Sequence, residues 1–144
     1  MIAMDMLTSL FKVSNDEVLD KLITSAISSG ESLANKVFVD CSTVHPNTIG
    51  AKSSQLKAKD AILICAPVFG GQGIAIPGKL VFAIGGPKDA RETVKPLIQD
   101  VMGRKIIDCG DDPTKSSLLK IAGYGFFFFF SSWRCWVCDW TSLT

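Results

Sequence analysis

An α/β domain with a largely parallel sheet is the fold class this sequence predicts, and three observations predict it. Short runs rich in β-branched and aromatic residues alternate with stretches whose apolar residues recur at helical spacing. The run Ala61 to Ala66 is continuously apolar yet only strand-length, which suits a parallel strand covered on both faces. A content of 47% hydrophobic and 20% charged residues over 144 positions leaves room for one domain with a buried core.

The elements follow in order. Ser14-Asn15-Asp16-Glu17 reads as a capping box, with Ser14 as cap, Glu17 reciprocating, and Val13 and Val18 as a hydrophobic staple. A helix then runs through Val18, Leu19, Leu22, Ile23, Ala26 and Ile27 to a stop at Gly30. Val37 to Cys41 is a strand that breaks at Ser42-Thr43 into a helix starting at Pro46. Pro67 ends the Ala61–Ala66 strand, and the glycines Gly70, Gly71 and Gly73 follow. Leu80 to Ile84 is the next strand, and Gly85-Gly86-Pro87 turns the chain into a helix carrying Ala90, Val94, Leu97 and Ile98 that stops at Gly103. Lys105 to Cys109 is a strand, and Asp112-Pro113 opens a final helix bearing Leu118, Leu119 and Ala122.

Charge and cysteine usage exclude several functions. Fifteen Lys and Arg against 14 Asp and Glu give a net charge of +1, so neither nucleic acid nor a membrane surface is an indicated partner. The cysteines follow no disulfide framework, and Cys41, Cys65 and Cys109 fall at strand ends as small hydrophobes. Met1 to Val13 lacks the basic start and small-residue cleavage site of a signal peptide, and no segment reaches the roughly 20 apolar residues of a membrane span. A reducing, cytoplasmic location is expected. From residue 125 the character changes to Phe126–Phe130 and three tryptophans, a composition that no ordinary element has, so residues 125–144 are expected to be an aberrant tail outside the domain of residues 1–124. Cys135 and Cys138 have C-x-x-C spacing without a second ligand pair, so no metal is expected.

Three places could carry chemistry. Asp40 to Pro46 puts Ser42 and Thr43 at a strand's C-terminal end beside a helix start, where α/β sheets bind ligands; the same hydroxyls could equally serve only the turn's own backbone. His45, the only histidine, has no nucleophile in a triad arrangement and reads as structural. Ala66-Pro67-Val68-Phe69-Gly70-Gly71 leads into glycines that let backbone N–H groups approach an oxyanion, or that simply make a turn. On the final helix Ser116, Lys120 and Tyr124 share one face, and a lysine among Leu118, Leu119 and Ile121 is either partly desolvated and suited to proton transfer or snorkels to solvent.

In this order and spacing, these segments resemble the β-hydroxyacid dehydrogenases, relatives of 6-phosphogluconate dehydrogenase that include the 3-hydroxyisobutyrate dehydrogenases. The pattern D-x-S-T-x-x-P is matched by Asp40 to Pro46 and the loop A-P-V-S-G-G by Ala66 to Gly71. The turn G-G-x-x-x is matched by Gly85-Gly86-Pro87, and the helix K-x-x-x-N by Lys120 with Tyr124. The resemblance covers about Ser14 to Gly123 and implies an incomplete Rossmann-type parallel sheet, without the first βαβ unit and without the family's helical C-terminal domain, which usually makes a homodimer. It implies NADP or NAD as cofactor and a small 3-hydroxy acid or semialdehyde as substrate. Lys120 would be the catalytic acid/base, Ser42, Gly70 and Gly71 would bind substrate, and Thr43 would contact the cofactor near its nicotinamide. Phe69 stands where many members have serine, Tyr124 replaces the asparagine beside the lysine, and no G-x-G-x-x-G precedes the first helix. These departures support a second reading, a catalytically silent binding or remnant protein.

Overall fold

The computed structural model describes residues 7–125. The expected aromatic tail and its C-x-x-C pair lie outside those residues. Within them, β1 (Leu7–Phe11), α1 (Asp16–Ser28), β2 (Val37–Asp40), α2 (Pro46–Lys57) and β3 (Ile62–Cys65) form the first half. The second half holds β4 (Val68–Phe69), the single turn α3 (Gln72–Ala75), β5 (Leu80–Ile84), α4 (Lys88–Ile98) and β6 (Gly103–Asp108), and a helix α5 over 113–125.

Strands β1, β2 and β3 pair in that order, all parallel. Parallel neighbours need a crossover, and α1 and α2 supply the two crossovers. The extended segment from Ile62 then changes partner. Beyond Cys65 it leaves β2 and, as β4, pairs antiparallel with β5, because the connection through residues 70–79 is too short to return the chain in parallel. Cys65 and Gly85 exchange both backbone hydrogen bonds, at 3.0 and 2.9 Å, and so join this part to the β4-β5-β6 sheet. The parallel Rossmann-type arrangement expected from the sequence is therefore present, with β4 as an antiparallel element that the sequence did not signal.

Alternation along β2 and β3 builds two cores. Phe38, Leu63 and Cys65 face Leu19, Ile23, Ile49 and Leu56 of α1 and α2. Val37, Val39 and Ile64 face the opposite way, into Phe82, Ile84, Val94 and Ile98. Burial on both faces is what a strand without polar alternates requires.

One strand had no signal in the sequence, and two expectations are corrected. Leu7–Phe11 is a strand, although Thr8 and Ser9 hide it in the sequence; its pairing with Val37–Asp40 is what makes it one. The first helix is capped by Asn15, whose side chain accepts from Val18 N–H at 3.0 Å, and not by Ser14. Glu17 does not reach back; it pairs with Lys21 one turn on, at 2.7 Å. Finally, α5 is inverted relative to its hydrophobic pattern: Ser116, Ser117 and Lys120 are buried, while Leu118, Leu119 and Ile121 are exposed. The polar face is inward because the helix lies across strand ends, where backbone carbonyls need donors.

Candidate active site

The carbonyls in question belong to β3, β4 and the turn after β2. Ser116 Oγ donates to Cys65 O at 3.0 Å, Ser117 Oγ donates to Val44 O, and Lys120 Nζ donates to Val68 O at 2.5 Å. Three inward side chains, two on one turn of α5 and one on the next, thus stitch the helix over the C-terminal edge of the sheet. Glycine makes the approach feasible, since a Cβ at Gly85 would lie 2.9 Å from Asp112 O and 3.0 Å from Ser116 Oγ. Sequence reasoning missed Ser117, whose bond spans 73 residues and leaves no local trace.

Lys120, 3% exposed, reaches a cavity of about 480 Å³. Gly70 and Gly71 line it from the loop after β4, Ile74 from α3, and Phe69, Gly123 and Tyr124 complete it. The ammonium lies 4.4 Å from the centre of the Phe69 ring and 4.0 Å from that of Tyr124, within cation–π range of both. Gly70 has φ +136, and a Cβ there would meet Leu80 Cδ2 at 2.8 Å, so the loop's course past the cavity depends on glycine.

Lys120, Gly70 and Gly71 are therefore brought together. Ser42 and Thr43 are not among the residues lining that cavity. Ser42 is 1% exposed; its Oγ accepts from Val13 N–H at 2.7 Å and its N–H donates to Asp40 Oδ1 at 2.9 Å. It ties the β1–α1 connection to the end of β2. Thr43 is exposed on the same turn. His45 caps α2: its ring accepts from Asn47 N–H at 3.2 Å, while its backbone N–H donates to Asp16 Oδ1 at 2.9 Å.

Beneath the turn, Asp40 is fully buried, and its Oδ2 has no hydrogen-bond partner among the described residues. Burial pushes this carboxyl above its ordinary value, and the hydroxyl and N–H of Ser42 only partly oppose that. A second polar cluster lies at the far end of β6. Arg91, 6% exposed, donates from Nε to Gly86 O at 2.7 Å and pairs with Asp108 and Asp111. Among the described residues, no group of three or more His, Cys, Asp or Glu side chains could hold a metal ion.

Mostly parallel strands with a polar turn and a buried lysine at their carboxyl ends make an α/β protein of the Rossmann type, in which ligands bind at that edge. Residues 4–110 match the family model described as the NAD binding domain of 6-phosphogluconate dehydrogenase, and the chain belongs to that family, whose cofactor is a nicotinamide dinucleotide. The chain is similar to 3-hydroxyisobutyrate dehydrogenase of Pseudomonas aeruginosa, 39% identical over 75 residues that are 52% of this chain and 25% of that protein. The mitochondrial 3-hydroxyisobutyrate dehydrogenase of Drosophila melanogaster is 31% identical over 96 residues, 67% of this chain and 29% of its own. Among solved structures, Mycobacterium tuberculosis 3-hydroxyisobutyrate dehydrogenase with L-serine superposes with a TM-score of 0.71 at 22% identity, covering 79% of this chain and 38% of that one. The chain thus spans about a quarter to three-tenths of the length of these curated relatives. No helix among the described residues is long and apolar enough to cross a membrane.

Proposed function

We propose that the cavity at Lys120 is the substrate side of an NAD- or NADP-dependent dehydrogenase of the 3-hydroxy acid type, with Lys120 as its acid/base. The observation that carries this reading is an amine 3% exposed, one N–H committed to Val68 O, beside the glycine backbone of Gly70 and Gly71. A substrate carboxylate would take the N–H groups of that loop, as oxyanions take backbone donors elsewhere. Lys120 would then give a proton from Nζ to the carbonyl oxygen during reduction, and accept the hydroxyl proton during oxidation. Ser42 acts on substrate only indirectly, by holding the turn that carries Thr43.

For the dinucleotide, the residues fit one end. Thr43, exposed beside the ends of three parallel strands, suits the nicotinamide portion, which when bound supplies or takes the hydride. The β1–α1 connection, Lys12 to Asn15, has no glycine and cannot bring its backbone against a pyrophosphate as G-x-G-x-x-G does. The second reading, a catalytically silent binding protein, is favoured by Tyr124, which stands where the family pattern has the asparagine beside the lysine. Calorimetric titration of the full chain with NADH and NADPH decides between them. Micromolar binding that Thr43→Ala weakens supports the dehydrogenase, and oxidation of the bound nicotinamide by a 3-oxo acid should then fall about 10²- to 10⁴-fold in Lys120→Met. No binding at millimolar cofactor refutes the dehydrogenase reading for this chain.

A further inference from the structure

The cavity is larger and more apolar than a small hydroxy acid needs. Its volume of about 480 Å³ lies in the range of roughly 300–1,000 Å³ that buries drug-sized ligands. Of the side chains lining it among the described residues, only Lys120 and Tyr124 carry a polar atom. An ammonium has three hydrogens; one is used by Val68 O, and aromatic rings flank the remainder at 4.4 and 4.0 Å. Two N–H groups of Lys120 are thus left for a ligand, and whatever lies near the atoms they reach meets the rings. Phe69 is seated firmly. Its Cε1 comes within 3.0 Å of where a Cβ of Gly123 would be, so the ring rests against the backbone of α5, a fit that any larger residue at 123 would disturb.

We infer that Phe69 and Tyr124 determine specificity, and that the ligand of this cavity is a 3-hydroxy or 3-oxo acid carrying an aryl group next to the reacting carbon. The inference rests on the reading of Lys120 as the group that meets the reacting oxygen. In it the carboxylate goes to the Gly70–Gly71 loop, the oxygen to Lys120, and the aryl group packs between Ile74 and the Phe69 and Tyr124 rings, where aromatic pairs gain beyond simple area burial.

The test uses two acids that differ only in a phenyl group, 3-hydroxypropanoate and 3-hydroxy-3-phenylpropanoate, titrated by calorimetry into the full chain. Burying the phenyl should make the second bind at least about tenfold more tightly. Phe69→Leu and Tyr124→Leu should each cut that preference to under about threefold, the phenyl acid losing more affinity than the smaller acid, which loses only what the altered surroundings of the Lys120 ammonium cost it. Gly123→Ala, whose Cβ would crowd Phe69 Cε1 at 3.0 Å and displace the ring, should weaken the phenyl acid selectively. Circular dichroism establishes that each variant is folded. Equal affinities in the wild-type chain, or no binding of the phenyl acid, overturn the inference. Lys120→Met separates it from the reading beneath it: weakened binding of both acids is expected, whereas unchanged binding of both with the phenyl preference intact would sink the role of Lys120 and leave the aromatic pocket standing.

Discussion

Gly85→Ala tests whether α5 is positioned by its contact with the sheet. A Cβ at this position meets Asp112 O at 2.9 Å, Ser116 Oγ at 3.0 Å and Pro113 Cα at 3.2 Å. Two of those three atoms are backbone and cannot swing aside, so either α5 retreats by a few tenths of an ångström or the strand does. Retreat of the strand would loosen the paired Cys65–Gly85 hydrogen bonds at 3.0 and 2.9 Å. Retreat of the helix would stretch Ser116 Oγ to Cys65 O. Overpacking of this kind costs about 1–3 kcal/mol, and a weakened buried hydrogen bond adds roughly 1 kcal/mol. A loss of about 2–4 kcal/mol is expected, read as a lower urea midpoint at unchanged m-value. Gly73→Ala is the matched control: nothing lies within 4 Å of its Cβ and it sits in α3, so it should be neutral or slightly stabilising. A Gly85→Ala midpoint within about 0.5 kcal/mol of wild type would refute the idea that close glycine packing holds the lysine-bearing helix in place.

Arg91→Met should cost about 2–4 kcal/mol in the same assay. Most of that comes from the buried Gly86 carbonyl, because Asp108 and Asp111 have side chains 43% and 76% exposed and their pairing is discounted for screening by water. A smaller loss than Asp111→Ala produces would contradict this division. Acidification should destabilise the fold: hydrogen bonds from Thr48 to Asp16, from Gly110 N–H to Asp108 and from Thr114 to Asp112 hold these carboxyls below their ordinary value. Their contribution is present above that ordinary value and lost as pH falls through the lowered ones, so the urea midpoint should drop in acid. Asp40 has the opposite sign. Its raised carboxyl contributes below the ordinary value and loses that contribution as pH rises through the raised one, so Asp40→Asn should flatten stability on that side. Cys41 and Cys65 are buried, and burial pushes both thiols up to about 12, so peptide mapping after iodoacetamide treatment should find neither alkylated until the chain is unfolded. Native-state labelling at either position would mean the strand ends open.

The strands with the strongest sequence signal, Val37–Asp40, Ile62–Cys65 and Leu80–Ile84, lie in the middle of the molecule. Apart from Asp40 their residues are apolar on both faces, and strand length with β-branched and aromatic enrichment separates such a run from a buried helix. Edge and transitional elements leave weaker marks. Leu7–Phe11 carries two hydroxyls and is a strand by virtue of its neighbour, and Val68–Phe69 is only two residues long. The cap moved from Ser14 to Asn15 because both residue types serve, and the site of helix entry is set by the preceding strand. Arg91 lies three residues before Val94 and seven before Ile98, on the buried side of α4, but a charged residue type gave no sign that it is only 6% exposed.

For the candidate site, sequence by itself determined the chemistry present: a hydroxyl pair after one strand, glycines after another, and a lysine on the last helix, each identified by its place relative to a local element. Which of these share a space was decided by tertiary structure. Lys120 faces inward against the hydrophobic pattern of its own helix because the ends of β3 and β4 present carbonyls that only polar side chains can satisfy. Ser42 Oγ accepts from Val13 N–H, a bond its place in the sequence did not announce. Such long-range pairings have no periodicity to announce them, since they join residues 29, 51 and 52 positions apart.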